Sequence, residues 1–300
     1  MSQTQNKKVM VRGFICALMG GVCWGFSGAC GQYLLTDYQA DSMWLTVVRM
    51  VFAGIALMAW AIISQRDKLV GILQNKKDLI DLIVFAIVGL LFDQYAYMVA
   101  IEYTNAGTAT VLQYLGPVLI MAFVCLKALR LPRPREALAI VCALGGVFLL
   151  ATGGSFEAMQ LSEEGLLWGI LAALGLAFYT VLPVRIVPRW GSVVVTGYGM
   201  LIGGIALAIY CRAWDYQISL DMAGYLAIAS IVLIGTVAAF TLYLQGVADV
   251  GVVKASMLAC IEPVSAAVFA AVWLGTSFTF TDIIGFVLIM LTVFILARKD

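Results

Sequence analysis

Residues 262–297 read EPVSAAVFAAVWLGTSFTFTDIIGFVLIMLTVFILA, and residues 116–151, displaced by 146, read GPVLIMAFVCLKALRLPRPREALAIVCALGGVFLLA. Pro263 answers to Pro117, Val264 to Val118, and Val293-Phe294 to Val147-Phe148, while Glu262 stands opposite Gly116. Working outward, the same displacement runs without a gap from 79–151 to 225–297 and pairs Gly89 with Gly235 and Tyr97 with Tyr243. A second block, SMWLTVVRMVFAGIAL at 42–57, aligns with SVVVTGYGMLIGGIAL at 192–207 and matches Ser42, Thr46, Met50 and the run Gly54-Ile55-Ala56-Leu57. The chain is one module written twice, over 1–155 and 156–300, with a glutamate in only one copy of the signature.

Composition says what kind of module it is. The 300 residues are 63% hydrophobic and 12% charged, about half the charge of a soluble domain, which is roughly 25%. Spans of about 20 apolar residues are what a bilayer requires. Ten fit: 13–35, 42–64, 79–101, 105–127, 135–153, 165–187, 192–212, 222–245, 250–274 and 280–297. The fold class is therefore an all-α membrane protein of ten transmembrane helices in two five-helix repeats. Five is odd, so the second copy enters the membrane from the opposite side, and the repeats are inverted.

Lysine and arginine set the orientation, because cytoplasmic loops carry their excess. With both termini in the cytoplasm, the inner segments hold fifteen of the eighteen basic residues and the outer loops only Arg212; Arg49 and Lys254 fall within spans. The first apolar block follows Lys7, Lys8 and Arg12 and imitates a signal peptide. It is longer than one, lacks an A-x-A-like cleavage site and precedes many more spans, so it is expected to stay as the first helix.

The same composition excludes several function classes. A net charge of +1 with dispersed basic residues offers no footprint for nucleic acid. All seven cysteines lie in or at the ends of apolar blocks and histidine is missing, so neither a disulfide framework, nor a metal site, nor a cofactor is expected. Cys16, Cys23 and Cys30 recur every seven residues and line one helix face, where small residues permit close approach. A membrane-embedded enzyme would need a nucleophile–base pair or a phosphate loop, and the sequence holds neither. Inverted repeats with interrupted helices instead belong to carriers that bind substrate near the midplane and rock one repeat against the other. Pro117 and Pro263, at matching places, are the expected hinges.

With 262–297, its counterpart 116–151 and the stretch VRMVFAGIAL at 48–57, the chain resembles the drug/metabolite transporter superfamily, and within it the EamA family. The resemblance covers nearly the whole sequence and implies a secondary transporter of the cell's inner, cytoplasmic membrane. Its substrate would be a small metabolite, with an amino acid or related amine first and multidrug, nucleoside or vitamin cargo as alternatives. It also implies export or exchange, and it places helices 1, 3, 4, 6, 8 and 9 around the cavity. One departure is LGTSFTF at 274–280, where the family often has an acidic residue after the glycine. A non-transporting structural or signalling membrane protein is the alternative of another class.

Ionisable residues inside spans are costly and mark candidate sites. Lys254 is near enough to the cytoplasm to snorkel, and Glu102 sits at the outer end of helix 3. Arg49 and Asp93 lie roughly 10–12 Å deep at 1.5 Å per residue, so they either form a fixed ion pair or offer opposite charges to a zwitterion. Asp93 and Glu262 are the candidate proton couplers. Asp93 and Tyr97 share a helix face with Gly89; Tyr243 repeats that stripe, with Ala239 where the first copy has Asp93. Aromatic lining suits a ring or an ammonium group. Gln113 and Tyr114 precede the Pro117 break, whose missing N–H leaves the Gln113 carbonyl in want of a donor. Trp24, Ser27 and Tyr179 complete the expected substrate-binding set. Helices 5 and 10, nearly free of interior polar groups, are expected to face lipid or to form a homodimer.

Overall fold

The computed structural model describes residues 3–155, 160–250, 255 and 258–297. The fold is all-helical. Among the described residues, ten apolar helices carry it: α1 Val9–Asp37, α2 Ser42–Ser64, α3 Lys76–Tyr103, α4 Ala106–Leu126, α5 Pro134–Thr152, α6 Glu163–Val184, α7 Ser192–Cys211, α8 Met222–Val247, α9 Ile261–Leu274 and α10 Phe280–Ile295. The first eight are long and apolar enough to cross a bilayer, while α9 and α10 are shorter. The protein is thus a multi-pass membrane protein. Where the sequence predicts one span over 250–274, α9 starts only after a turn at Cys260. Lys254 lies outside the described residues.

Short polar side chains start these helices by accepting orphan N–H groups. Asp41 accepts from Met43 and Trp44 ahead of α2, Asn75 from Asp78 ahead of α3, Asn105 from Thr108 ahead of α4, and Asp221 from Gly224 ahead of α8. Glycines with positive φ, Gly153 at 62° and Gly275 at 66°, end α5 and α9. Two helices carry π-helical segments, α3 at Phe85–Leu91 and α8 at Leu233–Ala238. Such wide turns are uncommon and concentrate at functional sites.

Packing sorts the helices into a centre and two flanking pairs. α1 packs on α8 and α9, α6 packs on α3 and α4, and α4 meets α9; outside them α2 pairs with α7 and α5 with α10. The six helices implied by the resemblance are the central ones. Close approach at two points requires glycine. A Cβ on Gly25 of α1 would lie 2.1 Å from the Ser265 hydroxyl and 2.7 Å from the Ala266 nitrogen of α9. A Cβ on Gly175 of α6 would lie 2.6 Å from the Cα of Asp93 in α3. These contacts bring helix backbones together around the residues described next.

Candidate functional site

Asp93 follows the π segment of α3 by two residues and is buried. Its Oδ1 accepts from the Gln113 amide of α4 at 2.9 Å and its Oδ2 from the Gln94 amide at 3.1 Å. Glu262, in the first turn of α9, accepts from the Tyr114 hydroxyl at 3.0 Å, and that hydroxyl also lies 3.2 Å from the Ala259 carbonyl. Adjacent residues of α4 therefore hold two carboxylates from opposite ends of the sequence. They can do so because α4 is broken there: residues 114 and 115 form a turn, and the helix restarts at Gly116-Pro117. Pro263 sits at the equivalent place in α9, just past the turn at Cys260.

Arg49 reaches the same region from α2 and is 6% exposed. Its Nε and Nη1 are buried without a hydrogen-bond partner. The groups that act on its charge are Tyr97, Asp93 and Glu262. Among the described residues no ion pair joins Arg49 to Asp93, whose oxygens are held by amides instead. Equal depth sets the two residues at one level but does not decide which groups each one meets. Leaving guanidinium donors unpaired in an apolar interior costs about 1–3 kcal/mol for each buried donor.

The aromatic residues divide into two groups. Tyr97 is buried with its hydroxyl 2.8 Å from the Thr110 hydroxyl of α4, so its polar end is occupied by a neighbouring helix. Trp24 of α1 meets Tyr243 of α8 at 5.2 Å between ring centroids and Phe240 edge-on at 5.4 Å. Tyr179 of α6 packs on Phe85 at 5.8 Å and is acted on by Asp93 and Tyr243. Ser27 is buried beside Gly235, in the π segment of α8, and its hydroxyl has no partner. The fold thus brings Asp93 to Gln113, Glu262 to Tyr114 and Trp24 to Tyr243. It leaves Arg49 and Ser27 unpartnered, and Glu102 is exposed.

Two polar residues of the cluster escape the sequence reading. Gln94 donates to Asp93 while its own Oε1 is buried without a partner, and Thr110 holds Tyr97. Their signal was available, since each is a polar side chain within an apolar span. The chemistry on offer is two unmatched N–H donors, an unmatched amide acceptor, a buried carboxylate at Asp93 and a half-buried one at Glu262. Among the described residues no group of histidine, cysteine, aspartate or glutamate is arranged to hold a metal ion.

A multi-span helical bundle with broken central helices and buried, incompletely paired charges is the architecture of a membrane transporter. The sequence pattern of the EamA-like transporter family matches over residues 11–152 and again over 163–298, and the chain belongs to that family. It is 37% identical over 286 residues to the Uncharacterized inner membrane transporter YicL of Salmonella typhimurium, covering 95% of each chain. It is 24% identical to the Uncharacterized transporter sll0355 of Synechocystis, covering 87% of this chain and 85% of the other. A solved crystal structure superposes with a TM-score of 0.61 at 19% identity, over 96% of this chain and 95% of its own.

Proposed function

We propose that this protein is a secondary transporter of the cytoplasmic membrane that carries an amino acid or a closely related amine by alternating access, as an exporter or exchanger. The observation that carries the reading is Arg49, a buried guanidinium with two unpaired donors. A substrate carboxylate takes up one of them together with Nη2, in the planar donor fork of arginine that Arg12 presents to Asp249 through its Nε and Nη2. Asp93, with the free Oε1 of Gln94 beside it, then receives the ammonium group. Trp24, Tyr243 and Tyr179 line the place for the substrate side chain. Asp93 or Glu262 takes the proton if transport is proton-coupled.

Alternating access rests on reading the chain as two inverted five-helix units, and several independent pairs support that reading. The contact of α1 with α8 is the counterpart of α6 with α3, α1 with α9 that of α6 with α4, and α2–α7 and α5–α10 are their own counterparts. Asn75 and Asp221, displaced by 146, cap equivalent helices. The π segments at Phe85–Leu91 and Leu233–Ala238 overlap under the same displacement. The charge bias of the loops supports cytoplasmic termini.

Thermal stabilisation of the purified protein by a panel of amino acids, nucleosides and quaternary amines, followed by counterflow in proteoliposomes, tests the proposal. Stabilisation and counterflow by amino acids are expected. A response confined to quaternary amines or nucleosides transfers the site to drug or nucleoside cargo. No ligand shift together with null counterflow refutes the transporter reading.

A further inference from the structure

The two ends of the bundle are closed by different chemistry. On the face that carries the start of α1, Asp78 at the beginning of α3 accepts from Arg189 at 2.8 Å, from the Trp190 indole at 2.9 Å and from Arg185 at 3.4 Å. Arg185 also pairs with Asp81, and the Arg189 guanidinium stacks 4.8 Å above the Trp190 ring. On the same face Arg12 of α1 grips Asp249, beyond the end of α8, with two bonds of 2.8 Å. Each of these ion contacts joins residues 1–155 to residues 156–300.

The opposite face is joined by hydrogen bonds. The Tyr38 hydroxyl donates to Asp221, with Tyr33 behind it at 3.3 Å. Gln32 donates to Thr276 at 2.9 Å and accepts from the Ala106 nitrogen at 2.8 Å. The Asp78 and Asp221 closures occupy related places: each ties the start of the third helix of one unit to the loop after the first helix of the other. Under the displacement of 150 that aligns 42–57 with 192–207, Tyr38 and Gln39 fall on Pro188 and Arg189. The repeat has kept the position of the clasp and changed its chemistry.

We infer that the ion-pair clasp around Asp78 is a lock that biases the empty carrier, so that it opens first on the face held by Tyr38 and Asp221. This rests on the alternating-access reading. Hydrogen bonds to a carboxylate are charge-assisted on both faces, but Asp78 gathers three side-chain donors, two of them cationic, where Asp221 has one neutral side-chain donor across the halves. The arginines are 46% and 57% exposed, so each contact shifts the opening equilibrium by about 1.4- to 5-fold. Because the lock is ionic and partly solvated, 1 M salt weakens it, the screening length falling from about 10 Å at 0.1 M to 3 Å.

Hydrogen–deuterium exchange of the full chain in lipid nanodiscs reads both faces at once, at 76–84 and 185–191 on one side and 33–41 and 216–226 on the other. Asp78→Asn is expected to raise exchange at the first pair about threefold and to lower it at the second, because opening one face closes the other. Arg189→Gln, at an exposed position, carries the same expectation should Asp78→Asn fail to insert. Tyr38→Phe should move both faces the opposite way, and 1 M salt should mimic Asp78→Asn. Exchange that rises only near the substituted residue, or rises on both faces together, overturns the lock and leaves a local fastening. Counterflow on the same preparations separates the two failures: if it persists, only the lock falls, and if it is null, the transport reading falls as well.

Discussion

Replacing Arg49 with methionine removes a charge and keeps much of the side-chain volume. If the guanidinium were a structural tie, the protein would lose it and come apart. The geometry says otherwise: Nε and Nη1 are buried and unbonded. Asp93 keeps both amide donors without Arg49, and Glu262 keeps the Tyr114 hydroxyl. Each unmade bond costs about 1–3 kcal/mol, and this is partly offset by the attraction of Arg49 to the two carboxylates. With that offset, a net gain of about 1–2 kcal/mol from the two unmade bonds should raise the variant's melting temperature by roughly 2–8 °C at about 2–4 °C per kcal/mol.

Transport should move the other way. A hydrogen bond to a charged group contributes about 1.5–3 kcal/mol, so losing the anchor for a substrate carboxylate should weaken apparent affinity about 10- to 150-fold. Static light-scattering melts and concentration-dependent counterflow measure the two quantities on one preparation. A variant that fails to fold, and that Asp93→Ala partly restores, refutes this reasoning and makes Arg49 and Asp93 a structural pair.

Asp93→Asn should insert and melt normally while transport loses its pH dependence; unchanged pH dependence removes Asp93 from proton coupling. Gly25→Ala should destabilise by about 1–3 kcal/mol through overpacking, seen as a lowered melting temperature, since its Cβ meets the Ala266 nitrogen and the Glu262 carbonyl of the α9 backbone as well as the Ser265 hydroxyl. At Asp221 the Tyr38 hydroxyl, with help from the Gly224 N–H, holds the carboxyl below the usual carboxylate range. Its contribution to stability is present above the unfolded value, near 4, and is lost as pH falls through the lower folded one. Melting temperature measured below pH 5 should therefore fall less in Asp221→Asn than in the wild type.

Much of this organisation is visible in the sequence, and the parts that are not share a cause. Span positions follow from hydropathy. The breaks follow from Pro117 and Pro263, because an imide cannot complete a helical turn. The contacts of Asp93 and Glu262 with Gln113 and Tyr114 are half legible: the four residues attract notice as polar groups in apolar spans, but which one meets which depends on helix rotation. That Asp93 takes amide partners in place of Arg49 is hidden for the same reason. The Asp78 clasp is hidden because its arginines lie between spans, where a count of charges assigns them to topology. The π segments leave no mark in composition, since an extra residue in a helical turn is a matter of backbone register.

That register has a consequence of its own. A wide turn stores one residue more than an α-helix of the same length needs, and a helix that expels it rotates everything beyond by about 100° and advances it by 1.5 Å. Asp93 and Tyr97 lie just beyond the wide turn of α3, as Tyr243 does beyond that of α8. Expelling the extra residue from α3 would swing the carboxylate away from Gln113 and turn the helix against α6, where Gly175 lies close on Asp93.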